Sequence, residues 1–191
     1  MMRTVSMLAV VVIVALSVAF AGAPKKADNF SLNDYNGKSV SLSDYKNTKA
    51  IVLMFVATEC PVSNAYNERY IKLYDDYKGK NVAIIGINSN KEESAEDVKE
   101  HAKENKLAFP ILKDNNNVVA DKFDAQRTPE VYVLHPTTLE VLYHGRIDDS
   151  QRAANITSHD LRAALDEILA GKAVSTKETK AFGCSIKRVQ N

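Results

Sequence analysis

Residues 50–66 read "AIVLMFVATECPVSNAY", a continuous apolar run from Ala50 to Ala57 that gives way to Thr58-Glu59-Cys60-Pro61-Val62-Ser63. An uninterrupted apolar stretch of this kind suits a β-strand buried on both faces. Proline directly after Cys60 fits the first position of a helix, where its missing N–H is not needed. Cys60 is thereby expected at a junction between strand and helix, among unpaired backbone N–H groups and at the positive end of the helix dipole. Both favour the thiolate, the form that attacks disulfides and peroxides and binds soft metals. Ser63 stands where a C-x-x-C motif would carry its second cysteine, and the only other cysteine is Cys184, in "AFGCSIKR".

Outward from this stretch, apolar and polar periods alternate. On the N-terminal side, "FSLNDYNGKSVSLSDY" (30–45) predicts a hairpin turning at Asn36-Gly37. On the C-terminal side, Tyr66, Tyr70, Leu73 and Tyr77 fall near helical spacing, and Gly79 closes that helix. Val82 to Ile87 predicts a second buried strand, and Ser94 to Asn105 a charged surface helix with Ser94 and Asp97 in capping-box positions. "FPILKD" reads as a short strand, Val118 to Phe123 as a short helix, and "EVYVLHP" with "EVLYHGRID" as a strand pair. Leu161, Leu165, Ile168 and Leu169 lie on one face of a last helix, Asp160 to Leu169, ended by Gly171. Strands alternating with helices and then a hairpin point to an α/β sandwich around a mixed sheet.

The chain has 191 residues, 45% of them hydrophobic and 26% charged, which suits one globular domain with a full core. Arg3, the apolar block "MLAVVVIVALSVAF" and the small residues Ala21-Gly22-Ala23 have the form of a secretory signal over residues 1–23. The alternative is an uncleaved single-span anchor, although the block falls at or below the ~20 residues a bilayer needs. On either reading the domain is exported to a periplasmic or other extracytoplasmic space. Cleavage removes Arg3 and takes the net charge of +1 to neutrality, leaving no electrostatic case for nucleic acid or an anionic membrane. Both cysteines remain after cleavage, in a compartment where disulfides persist.

A second element accompanies the cysteine turn. Arg127-Thr128-Pro129-Glu130 precedes the strand "VYVL", and an X-Pro bond at a strand edge is of the type that adopts the cis form. With "FSLNDYNGKSVSLSDY", "ATECPVSNAY", "RTPEVYVL", "YHGRIDD" and "TKAFGCSIK", this chain order resembles the thioredoxin superfamily. Within it, the match is to the redoxin branch related to alkyl hydroperoxide reductases and thiol-specific antioxidants, in its peroxiredoxin-like subgroup. The resemblance covers residues 28–170. It implies an α/β thioredoxin-like fold, a mixed sheet flanked by helices with an N-terminal hairpin. Residues 24–171 would be the redoxin domain and 172–191 a C-terminal tail carrying Cys184. It also implies Cys60 as the first cysteine of a thioredoxin-type site and Pro129 as the cis-proline beside it, with Thr58, Glu59, Pro61, Ser63 and Thr128 in support.

The departures from the family pattern matter as much. Peroxiredoxins place a peroxidatic cysteine at the position held here by Ser63, with threonine where Cys60 stands. Sliding the motif so that Cys60 is peroxidatic puts Ala57 at the threonine position, so neither register completes the peroxide-binding set. Ser63 has no thiol with which to resolve a mixed disulfide. Cys184 either resolves one formed by Cys60, in a cycle that moves the tail, or forms a static bridge that pins it, or never meets Cys60. A bridge would close a loop on the order of a hundred residues, a constraint valued at roughly 5 kcal/mol before strain is subtracted. Gly183 would allow close backbone approach.

The expected activity is thiol–disulfide exchange with protein or small-molecule thiols, which needs no bound cofactor. The alternatives are a peroxiredoxin-like antioxidant reacting with peroxides and a non-catalytic module binding Cu(I) or a partner. No metal ligand set is assigned. His101 reads as solvated on the charged helix, His135 and His144 as a surface pair flanking the strand turn, and Arg146, Asp148 and Asp149 as a solvated turn. Nothing in the sequence speaks for a particular oligomer.

Overall fold

A computed structural model describes residues 23–190. The expected signal over residues 1–23 therefore lies outside the described residues except for Ala23. The first elements are β1 (Ser31–Asn33) and β2 (Ser39–Ser41), an antiparallel hairpin. Its loop spans Asp34 to Lys38, and Asp34 Oδ1 accepts the N–H groups of Asn36 and Lys38. Only Gly37 of the Asn-Gly pair takes a positive φ, +82°. The aspartate side chain, as well as the glycine, shapes this turn.

The apolar runs become β3 (Ala50–Phe55) and β4 (Val82–Asn88), every residue of which is buried. They pair in parallel, Leu53 opposite Ile85. β5 (Ile111–Lys113) extends the parallel side, whereas β7 (Glu130–Leu134) and β8 (Val141–Gly145) run antiparallel on the other. The sheet order is β5-β4-β3-β7-β8. Alternate residues of β3 feed two cores. Val52 and Met54 face Tyr70, Leu73 and Tyr77 of α2 (Asn67–Lys78), Val98 of α3 (Ala95–Glu104) and Leu161 and Leu165 of α5 (Asp160–Leu169). Leu53 and Phe55 face Phe123 of α4 (Val118–Phe123) and Val40 of the hairpin. The mixed sheet flanked by helices agrees with the expected thioredoxin-like architecture.

Helix formation after Cys60 differs from the expected single run. A short α1 (Pro61–Asn64) precedes α2, and the turn between them winds tighter where Tyr66 N–H donates to Ser63 O, three residues back. The Tyr66 hydroxyl is committed elsewhere, donating to Asp148 Oδ1 at 2.8 Å. At α3 the capping box forms as the sequence predicts, Asp97 N–H donating to Ser94 Oγ and Ser94 N–H to Asp97 Oδ2.

After α5 the chain returns along β8 and then over the cysteine turn. His144 N–H donates to Lys177 O, and Thr179 N–H to His144 O. β9 (Cys184–Ser185) pairs antiparallel with β6 (Arg127–Thr128), and Ile186 is buried among the apolar residues of the hairpin and α4. Among the described residues, no helix is long and apolar enough to cross a membrane.

Candidate functional site

Cys60 is the N-cap of α1, with extended backbone (φ −83°, ψ 115°) and Pro61 following at the first helical position. It is 4% exposed. Its Sγ accepts the Ser63 N–H at 3.2 Å and lies 3.3 Å from Thr128 O. Sγ is bonded to that of Cys184 across a sequence separation of 124, with the two Cα atoms 5.9 Å apart. The Thr128–Pro129 peptide is cis, and the carbonyl oxygen of Thr128 lies against the disulfide.

Of the residues singled out from the sequence, Cys60, Cys184, Thr128 and Pro129 are brought together. Thr128 and Cys184 are direct partners in the β6/β9 ladder. Ser63 takes part through its backbone: its hydroxyl turns inward, accepting the Ala57 N–H and sharing a hydrogen bond with Tyr70 OH. Pro61 accepts the Ala65 N–H and is exposed. Thr58 O accepts Asn64 Nδ2. The Glu59 carboxylate is exposed, 3.9 Å from Lys187 Nζ of the tail.

Three buried acidic residues around this centre have no sequence signature. Glu93, in the loop after β4, accepts from the backbone N–H groups of Thr58 and Glu59 and from the side-chain amides of Asn88 and Asn90. Burial alone would raise its pKa, but these donors outweigh it and hold the carboxyl below its usual range. Glu130 follows Pro129 and accepts from the N–H groups of Gln126 and Arg127, from Tyr132 OH and from His144 Nε2. Burial opposes its ionisation too, and the His144 hydrogen bond with the two backbone donors carries the balance, so its pKa is lowered.

The third, Asp148, is 2% exposed rather than part of a solvated turn, because Arg69 Nη1 and Tyr66 OH both point at it. His144 likewise is no surface partner of His135: it stacks on Tyr132, ring centroids 4.3 Å apart. His101 is half-buried beside Asn67 and Asn105, and burial lowers its pKa. Among the described residues, no group of three histidine, cysteine, aspartate or glutamate side chains is placed to hold a metal ion.

Residues 23–150 match the AhpC/TSA family. The chain belongs to this family. Over 129 residues, 68% of each chain, it is 32% identical to the thiol-disulfide oxidoreductase ResA of Halalkalibacterium halodurans. Over 115 residues it is 32% identical to the chloroplastic peroxiredoxin Q of Oryza sativa subsp. japonica, covering 56% of this chain and 52% of that one. It therefore spans about half to two thirds of the length of these relatives. The crystal structure of an uncharacterized conserved protein from Geobacillus kaustophilus superposes with a TM-score of 0.82 at 35% identity, covering 91% of this chain and 95% of that one. As an AhpC/TSA family redoxin with an intramolecular disulfide, the protein has the relatives and the bond of a thiol redox protein.

Proposed function

We propose that this redoxin is an exported thiol–disulfide oxidoreductase in which Cys60 is the nucleophile and Cys184 the resolving partner. The observation that carries the reading is the Cys60–Cys184 bond at a strand–helix junction, on a strand that pairs with the backbone preceding cis-Pro129. The Ser63 N–H aimed at Sγ favours the Cys60 thiolate.

In the reductive direction the Cys60 thiolate attacks one sulfur of a partner disulfide, forming a mixed disulfide and expelling a partner thiolate. The Cys184 thiolate then attacks Cys60 Sγ, closing the intramolecular bond and releasing the second partner thiolate. An electron pair passes from protein to partner, and an external thiol must reduce Cys60–Cys184 before another turn. β9 occupies the backbone edge of Arg127 and Thr128, and Cys60 is buried, so a protein partner enters only when the tail lifts. Its cysteine would then approach as part of an extended segment taking up the edge of β6. Export is supported by the form of residues 1–23 and by a disulfide that would persist outside the cytoplasm.

Two measurements test this reading. Cys60→Ser abolishes reduction of insulin disulfides, and Cys184→Ser leaves mixed disulfides trapped on Cys60; activity retained in Cys60→Ser would refute the assignment. Equilibration with thiol buffers gives a midpoint between about −120 and −270 mV for a catalytic pair, whereas a bond intact below about −300 mV marks a structural bridge. Peroxide added to the same samples separates the antioxidant alternative suggested by the peroxiredoxin relationship.

A further inference from the structure

The loop from Ser89 to Glu93 holds both halves of the redox centre. Toward the cysteine turn, Glu93 is 2% exposed, with Oε2 accepting the Thr58 N–H at 2.8 Å and Oε1 the Glu59 N–H at 3.3 Å. These are the two backbone amides immediately before Cys60. Asn88 Nδ2 and Asn90 Nδ2 complete the set of donors to the carboxylate. Behind it stands a cation: Lys113 Nζ donates to Asn88 Oδ1 at 2.8 Å and to Asn90 O at 2.7 Å. Glu93 and Lys113 are thus joined through Asn88 without touching. Toward the tail, Asn90 Oδ1 accepts the Lys187 N–H, and Lys91 N–H donates to Lys187 O.

We infer that Glu93 is a positioning residue that fixes the Cys60 turn and restrains ionisation of the Cys60 thiol, with Lys113 as its counterweight. This rests on Cys60 being the reactive thiol of the proposed function. Two effects act in the same direction. A desolvated carboxylate beside the turn opposes a second negative charge on Cys60 Sγ. It also engages the Thr58 and Glu59 amides, so those dipoles serve the carboxylate rather than the thiolate. Lys113, held at the far side of Asn88, offsets part of the charge. The other charged groups around the centre are the buried Glu130, engaged by the Gln126 and Arg127 amides and His144, the buried Asp148, paired with Arg69, and the exposed Glu59, Lys187 and Arg127, which solvent screens. Of the three buried carboxylates, Glu93 is the one bonded to the backbone amides of the turn itself.

The expected sign is opposite for two variants, which a merely structural role would not produce. In a full-length Cys184→Ala background, where Cys60 titrates alone, the pH dependence of its alkylation rate reports its pKa. Glu93→Gln keeps an acceptor for the turn but removes the charge, and should lower that pKa by about one unit, about tenfold more thiolate at neutral pH. Lys113→Met should raise it, leaving about threefold less thiolate. With Cys184 restored, Glu93→Gln should make the disulfide more oxidising, because the reduced form is stabilised.

An unchanged Cys60 pKa in both variants, or shifts of the same sign, would overturn the inference and leave Glu93 as a structural ligand of the loop. Should Glu93→Gln fail to fold, Lys113→Met decides alone: an unchanged or lowered pKa overturns the inference. The titration reads ionisation rather than turnover. A Cys60→Ser variant that retained activity would therefore defeat the proposed nucleophile without altering the titration result, and the two failures remain distinct.

Discussion

Thr128 and Cys184 face each other as antiparallel partners, and the Thr128 carbonyl oxygen lies 3.3 Å from Cys60 Sγ. One residue thus receives the tail strand on its backbone and bounds the sulfur of the opposing cysteine. The closeness depends on Gly183. A Cβ there would meet the Thr128 carbonyl oxygen far inside contact distance, and its φ of +147° is one that side chains rarely adopt.

Gly183→Ala is therefore expected to push β9 off β6 while leaving the sheet intact. The Cys60–Cys184 bond should become several-fold easier to reduce, and the tail open to limited proteolysis. Thiol-buffer titration followed by peptide mapping checks this, and an unaltered midpoint would show that the tail accommodates the side chain.

Cys184→Ser removes a cross-link spanning 124 positions. The expected cost is about 2–5 kcal/mol in urea denaturation, and the wild type in dithiothreitol should lose a similar amount. If the two agree, the loss belongs to the bond rather than to the serine.

Asp148→Ala removes the carboxylate that Arg69 Nη1 and Tyr66 OH share and leaves the two donors only the Ser150 carbonyl oxygen in common. We expect a loss of about 3 kcal/mol in chemical denaturation, with Asp148→Asn recovering part of it. Because Tyr66 packs against Phe182 of the tail, proteolysis should also find the tail loosened. A loss below about 0.5 kcal/mol would place this network among inconsequential surface pairs.

Acid should weaken the fold through Glu93 and Glu130. Each is held below the ordinary glutamate range by the hydrogen bonds it accepts. The stability that such groups contribute is complete above the unfolded value and is lost as pH falls through the depressed folded value. The melting temperature is expected to hold down to about pH 5 and to fall below it, less steeply in Glu130→Gln. A profile flat to about pH 3 would mean that neither carboxylate titrates differently on folding.

Much of the fold was legible because it follows local rules. The apolar runs of β3 and β4, the Ser94–Asp97 capping box and the face of Leu161 and Leu165 each record a periodicity or a cap within a few residues. The same holds for the first half of the site: a cysteine before proline at the end of a buried strand, and Thr128-Pro129 ahead of another. The acidic residues that organise that site were not legible. Asp148 lies in a run that reads as a solvated turn, Glu130 at the start of a predicted strand and Glu93 in a polar link between a strand and a helix, and only packing against elements distant in the chain buries Glu93 and Asp148 and brings His144 to Glu130. The pairing of Cys60 with Cys184 belongs to the same class. The sequence by itself determined that two cysteines exist, that one begins a helix and that the other lies on a tail. Only the tertiary structure decided that the tail forms a strand on β6, because antiparallel pairing, the side-chain-free Gly183 and the pocket receiving Ile186 are all relations between segments that local sequence does not encode.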